Sequence, residues 1–346
     1  MKQKKKTFPF IAVAAAIVLG AGLFFAVRYY YDRKVPNFSG TWEVYIYPDT
    51  PVDSAVAIIC RDCSPKYKGS VRRAFEGVDS VKAGQYTIDA STPSMYVSRM
   101  LSMGWQTPVK LVLSGSIRKK ENIASRIASQ MLLDSAEVMA GLSDADLLGQ
   151  FGFKPSNVFA LFIPDTYEVY WTESFKEILT RQKAAYDAFW TDENISRAAK
   201  QNLTPMQVSI LASIVNGETR YEPEMPAIAG VYLNRLRTGM KLQADPTIAF
   251  CFDYEPTRIL RKHLEVDSPY NTYKNAGLPP GPIRIPTKAA LGAVLNPVRH
   301  SYMYFCASPE FNGTHRFAST YSEHLSNARA FQRALTLREK SRAAGK

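Results

Sequence analysis

The 346-residue chain is 46% hydrophobic and 21% charged, with a net charge of +12 and a pI of about 9.4. That is enough apolar sequence for two or three packed domains. The basic balance favours a polyanionic partner, whether nucleic acid, anionic lipid or a wall polymer bearing carboxylates and phosphates. No zinc-finger spacing, RNA-binding signature or Walker loop accompanies the charge, so nucleic acid is not an expected partner.

The first element follows a basic start, MKQKKK, in a tail spanning residues 1–7. Residues 8–27 (FPFIAVAAAIVLGAGLFFAV) carry no charge over 20 positions. That length spans a hydrocarbon core as a helix. Arg28 and Tyr29–Tyr31 then form a basic and aromatic collar suited to the interface. A cleaved signal peptide would need a shorter apolar run and small residues after it. Phe24, Phe25 and the three tyrosines occupy that place, so an uncleaved anchor is expected. The short tail then lies in the cytoplasm, and the large C-terminal part lies on the far side of the cell membrane.

Asp32–Gly40 reads as a linker, and residues 35–115 as a small α+β module. Within it, Trp42–Pro48 and Val81–Ile88 read as strands, and Pro51–Cys60 and Tyr67–Phe75 as helices. A further helix is expected with Thr92 as N-cap and Pro93 at its first turn, and Pro108–Leu113 is a further strand. Cys60 and Cys63 form a C-x-x-C without a thioredoxin-like setting. They read as a local disulfide or as free buried thiols. Cys251 and Cys306 stand alone, so no zinc spacing results.

Residues 116–193 read as a bridging α/β segment: helical from Ile117 to Leu148, a strand at Val158–Ile163, and a helix at Ser174–Trp190. Residues 194–346 form a final domain that opens with helices. It becomes rich in Pro, Gly and Tyr after Ala244, then shows a hairpin (Ser301–Ala307 with Thr314–Phe317) and a terminal helix from Tyr321. Loops around a helical core suit a cleft for an extended ligand.

The chemistry centres on Thr204–Thr247. Thr204 and Pro205 are good N-cap and first-turn residues. Val208, Leu211, Ala212 and Val215 make a buried face, with Ile210 and Ile214 beside it. Glu218 falls beside that face at the helix end. Partial burial and the negative end of the helix dipole should both raise its pKa. A carboxyl held protonated near neutral pH can protonate a leaving oxygen. A lone carboxylate in a turn is common, however, and by itself means little.

Four blocks in order change that: LASIVNGET, AGVYLNRLRTGMKLQADPT, SPYNTYKNAGLPPGPI, and YMYFCA with GTHRF. Together they resemble the YceG-like endolytic murein (peptidoglycan) transglycosylases, the MltG type. The likeness is strongest from Leu211 to His324 and weaker upstream. It implies an α+β protein made of a transmembrane helix, a LysM-like module at residues 35–115, and a mainly helical, loop-rich catalytic domain with a short hairpin. It implies Glu218 as the catalytic residue, where the family has its E-T pair. Asn216 stands where relatives often carry a second acid. It implies lytic cleavage of the MurNAc–GlcNAc β-1,4 bond to leave 1,6-anhydroMurNAc ends, with no cofactor and no metal. Gln243 and Asp245 match Q-x-D-P-T, and Tyr270, Asn271 and Tyr273 match YNTY. These five, with Asn234, are the expected substrate-binding residues. The Gly277–Gly281 turn is expected to shape a cleft wall, and His315 and His324 to support the site. Peptidoglycan strands, the membrane and cell-wall synthases are the implied partners. The competing readings are a muramidase-type hydrolase and a non-catalytic wall-binding scaffold.

Overall fold

The computed structural model describes residues 8–344, with side chains over residues 12–341. The expected tail, residues 1–7, lies outside the described residues. The chain divides into two compact units. The first runs to Lys110 and also takes in Glu168–Glu173, and the second holds Leu111–Tyr167 and Ser174 onward. Residues 116–193, expected as a bridging segment, fall in the second unit except for Glu168–Glu173.

The first unit begins with α1 (Phe8–Lys34), 27 residues long, whose stretch Ala12–Lys34 is long and apolar enough to cross a membrane. Then come β1 (Trp42–Ile46), α2 (Val52–Asp62), α3 (Lys68–Ala74), β2 (Gly84–Ile88) and α4 (Ser94–Met103). The two strands pair antiparallel, Trp42 opposite Ile88 and Ile46 opposite Gly84. Val44, Ile46, Tyr86 and Ile88 pack with Ile59, Val71, Val97 and Leu101 into one core. Cys63 lies in that core as a free thiol, its pKa pushed up to about 12 by burial, and Cys60 is also free.

Two expectations fail here. No linker leaves the anchor: α1 continues to Lys34, and Phe38 is already buried in the core. Asn37 fixes the entry by donating to Ser94 Oγ at 2.8 Å and accepting from Tyr67 N at 2.7 Å. Nor does Thr92 cap α4. Its hydroxyl turns back to Asp89 Oδ1 at 3.0 Å, and Pro93 takes the cap position. The nearby Asp offers a competing turn, which is how Thr side chains leave helix caps.

The chain crosses to the second unit within β3 (Val109–Val112). There follow α5 (Lys120–Ala128), α6 (Ser135–Ser143), α7 (Ala145–Gly149), β4 (Thr166–Val169), α8 (Phe175–Phe189) and α9 (Asp192–Lys200). Val158–Ile163, expected as a strand, is a 3-10 turn with an irregular tail, buried at all six positions. A short apolar run buried on every side has no periodicity to separate the two.

At the centre is α10 (Pro205–Glu218), capped by Thr204 and Gln207: Gln207 Oε1 accepts from Thr204 N at 2.8 Å, and Thr204 Oγ1 from Gln207 N at 3.3 Å. Every residue from Val208 to Val215 is buried, so the helix is enclosed all round rather than on one face. Each of its large aliphatic side chains contributes roughly 1.5–3 kcal/mol by burial. It packs on α11 (Met225–Arg237), α12 (Asp245–Cys251) and α13 (Lys288–Leu295). The last two are helices within the stretch expected to be loop. Finally, β5 (Tyr304–Ala307) pairs antiparallel with β6 (His315–Ala318), Phe305 opposite Phe317, and α14 (Tyr321–Ala344) closes the chain.

The junction of α1 with α3 gives a stability test. Arg73 holds Asp32 with two bonds, at 2.9 and 2.6 Å, both side chains largely buried. Asp32→Ala strands the guanidinium and should cost about 1–3 kcal/mol in denaturant unfolding in detergent. Arg61→Ala, in the exposed pair with Asp62, should leave the unfolding midpoint essentially unchanged, because solvent screens the pair.

Candidate active site

Glu218 is the last residue of α10, and Thr219 leaves the helix in an extended conformation. Gly217 makes the placement possible: a Cβ there would lie 2.6 Å from Pro246 Cβ. The bare backbone lets the end of α10 abut the start of α12, which brings Asp245 to Glu218. From α11, Tyr232 Oη donates to Glu218 Oε1. Arg235, one turn further, is buried, donating to Met303 O at 2.7 Å and Leu242 O at 2.6 Å.

These groups line a cavity of about 420 Å³ with Gln243, Tyr273, Tyr304, His315, Tyr321 and His324. Two further depressions, of about 250 and 680 Å³, also reach Glu218. The first shares Asp245 with the central cavity, and the second shares Ala307 and His315. Glu218 therefore stands where three adjoining depressions meet.

The electrostatics favour a protonated carboxyl. Protein surrounds Glu218 except where it opens to the cavity, and this desolvation is the largest influence. The hydrogen bond from Tyr232 opposes it, the charge of Asp245 adds to it, and Arg235 opposes it. The result is a carboxyl pushed up to about 7. Asp245 accepts from Tyr273 Oη at 2.5 Å, and burial with that carboxylate raises the Tyr273 phenol well above its ordinary range. The site therefore holds a second carboxyl, Asp245, expected from sequence as a binding residue, beside Glu218.

The expected binding residues divide. Gln243, Asp245 and Tyr273 line the cavity with Glu218. Gln243 is held at φ 49°, left-handed, where its N–H donates to Thr272 O at 3.1 Å. Asn234, Tyr270 and Asn271 do not line the cavity, and each makes contacts that hold the fold around it. Asn234 lies two residues from Tyr232, about 200° round the helix, and clips His300 O and Tyr302 O at 2.9 Å each. Tyr270 packs on Phe250 and donates to Ser156 O at 3.1 Å. Asn271 is fully buried, bonded to Leu264 O at 2.9 Å and Val266 O at 2.8 Å. The Gly277–Gly281 turn is absent from the linings too. It serves close packing, since a Cβ on Gly281 would meet Ser156 O at 2.0 Å.

His315 and His324 both line the cavity. Glu224 clamps His315, taking its ring nitrogen at 2.6 Å and its backbone N–H at 2.8 Å. His324 stacks on Tyr304 at 5.3 Å, and burial, then Arg235, holds its pKa below the ordinary imidazole value. Among the described residues, no cluster of three His, Cys, Asp or Glu could hold a metal ion. Tyr232, Arg235 and Thr272 are the functional and supporting residues that sequence reasoning missed. The i, i+3 spacing of Tyr232 and Arg235 on one helix face was the available signal.

An acid–base centre at the meeting point of an open cleft is the class of site defined by this geometry. Residues 61–330 match the YceG-like family, and the chain belongs to that family. It is 27% identical over 264 residues to the endolytic murein transglycosylase of Bacillus subtilis, covering 72% of this chain and 73% of that one. It is 29% identical over 169 residues to the endolytic murein transglycosylase of Streptococcus pneumoniae, covering 47% of this chain and 30% of the other. The crystal structure of a YceG-like protein from Listeria monocytogenes superposes with a TM-score of 0.56 at 27% identity, covering 83% of this chain and 98% of that one.

Two predictions test the carboxyl. Tyr232→Phe removes a donor and should raise the Glu218 pKa, whereas Asp245→Asn removes a repulsive charge and should lower it; carboxyl titration by isotope-edited infrared spectroscopy reads both. The folded pKa of about 7 exceeds the ordinary 4.5. The stability from the protonated form is therefore full below pH 4.5 and lost as pH rises to about 7. Glu218→Gln should match wild type at pH 4 and exceed it above pH 7 by up to about 3 kcal/mol in denaturant melts.

Proposed function

We propose that this chain is a membrane-anchored endolytic murein transglycosylase with Glu218 as its general acid and base. Family membership and the named relatives support the activity, a lyase reaction on peptidoglycan. One observation carries the assignment of the residue: Glu218 alone belongs to all three depressions and has a carboxyl poised near neutrality. A general acid works best when its pKa lies near the working pH.

Glu218 donates its proton to the glycosidic oxygen linking MurNAc C1 to GlcNAc. The C1–O bond breaks with its electron pair on that oxygen, and the MurNAc N-acetyl carbonyl oxygen stabilises C1. The Glu218 carboxylate then takes the proton of the MurNAc C6 hydroxyl, and O6 closes on C1. No water is consumed, and the product end is 1,6-anhydroMurNAc. Asp245 supports the first step by disfavouring the Glu218 anion, and its charge faces the same cavity in which C1 becomes cationic. Tyr273 keeps Asp245 oriented. Gln243 offers an exposed amide for acetamido and hydroxyl groups.

Depressions adjoining the central cavity support cleavage within a strand, since sugars can continue past the scissile bond. The apolar α1 supports a single membrane span with the residues after it on the extracytoplasmic side. On this reading residues 35–115 act as a LysM-like wall-binding module. The enzyme then cuts new strands close to the membrane, beside the synthases, and limits their length.

The presence of Asp245 keeps a hydrolase as the second reading, because glycoside hydrolases commonly use two carboxyls. Mass spectrometry of product ends on purified glycan strands separates the two, since hydrolysis adds a water. Wild type should release anhydro ends. Glu218→Gln should release none, a loss of at least about 1000-fold, with its fold intact by circular dichroism. Asp245→Asn should slow release but leave the ends anhydro. Reducing ends from wild type would favour the hydrolase, and an active Glu218→Gln would remove Glu218 from the mechanism.

A further inference from the structure

The depression of about 250 Å³ that adjoins the central cavity at Asp245 has two arginines in its wall, Arg118 and Arg284. Arg284 is 6% exposed, between the buried Ile283 and Ile285. Ile283 N–H donates to Ser213 Oγ at 3.0 Å and Ile285 N–H to Ile117 O at 3.1 Å, so the backbone carrying the guanidinium is fixed on both sides. Its Nη1 donates to Asn216 O at 2.8 Å and its Nη2 to Ser116 Oγ. Its Nε is buried and has no hydrogen-bond partner. Arg118 shares the Ser116 hydroxyl, donating through Nε at 3.2 Å, and lies over the Tyr254 ring at 5.4 Å.

Neither arginine forms an ion pair among the described residues, although Glu218 and Asp245 lie in the same wall. The surroundings are instead like-charged. Burial lowers the Arg284 pKa to about 10, and the charges of Arg118 and Arg220 add to that fall, with Tyr254 opposing. A buried guanidinium without an anion is costly, and leaving a buried donor unmade adds to the cost. An anionic ligand at the depression would offset that cost. Ser116 and Asn216 already fix the guanidinium plane, so its orientation is set before any ligand arrives.

We propose that Arg118 and Arg284 form a subsite for a carboxylate of the peptide stem carried by the murein strand. This rests on the murein reading of the site. The glycan hydroxyls and acetamido groups are neutral, so along the strand interior the stem supplies the anion. A stem recurs at every disaccharide, whereas a lipid pyrophosphate occurs only at the strand end. Arginine suits the task because its planar donor set matches a carboxylate. The subsite would make cleavage favour strands whose stems are present and unmodified.

The test compares anhydro-end release, as kcat/KM, on three lipid-free substrates: stem-bearing strands, strands whose stem carboxylates are converted to amides, and strands stripped by an amidase whose freed lactyl carboxylates are likewise converted to amides. Wild type should favour the carboxylate-bearing strands by about tenfold or more, the scale of one charge-assisted bond. In Arg118→Gln and Arg284→Lys the ratio between substrates should fall towards one. A purely structural role would lower all three rates together and leave the ratio alone. Arg118→Gln keeps the test valid if the more buried Arg284 variant fails to fold. A wild-type ratio near one, or a ratio that survives both substitutions, overturns the subsite. Absence of anhydro ends from every substrate would instead sink the murein reading. Binding of Glu218→Gln protein to stem-bearing and stripped strands then decides the subsite separately: preference lost in the Arg118→Gln background supports it, and equal binding overturns it.

Discussion

Placing an ionisable carboxyl at the end of an enclosed helix is the constraint from which the rest of the second unit follows. α10 is buried from Val208 to Val215, so its last turn delivers Glu218 into a largely dehydrated position. Dehydration alone would drive the carboxyl too far towards the neutral acid to be useful as a base. Tyr232 and Arg235, on one face of α11, pull it back, and Asp245 pushes it up again. The balance lies near neutrality, where one group can both give and take a proton. Each of the three modulators comes from a helix packed against α10, so the packing is also the tuning.

The close approaches that hold this arrangement are backbone approaches. Gly217 admits Pro246, and Gly230 admits Val298 O and His300 against α11, where a Cβ would come within 2.6 Å. Thr272 binds the turn that carries Gln243 and Asp245, through Ala244 N at 3.0 Å and Thr247 Oγ1 at 2.9 Å. Asn271 does the same for its own loop. The YNTY block is thus largely a brace, with Tyr273 alone reaching the cavity. The hairpin β5–β6 supplies the opposite wall, fixed at its edge by the grip of Glu224 on His315.

The net charge of +12 also gains a local meaning. Some basic residues are neutralised at the surface, as Arg61 is by Asp62 and Arg197 by Glu193. Arg118 and Arg284 differ because they are fixed, share one hydroxyl, and have no carboxylate bonded to them. Charge of that kind is directed at a ligand rather than at solvent.

Sequence alone determined the elements whose signals are local. The apolar run at residues 8–27, the cap at Thr204–Pro205, the alternation at Trp42 and the hairpin near the end all rest on contacts within a few residues, and all recur in the structure. Glu218 was legible because a helix of known start places its end, and because the blocks around it resemble one family. Where signals were not local, sequence misled. Val158–Ile163 lost its periodicity through burial on every side. Thr92 was captured by Asp89. Asn234 sat in the right helix on the wrong face, while Tyr232, two positions away, met the carboxyl. The closeness of Asp245 to Glu218 and the unpaired state of Arg284 were beyond reach for the same reason. Their partners and neighbours are separated by tens of residues or more, as with Arg284 and Ser116, 168 apart. Only packing decides which of many polar side chains share a cavity, and with it the desolvation that gives a carboxyl or guanidinium its chemistry.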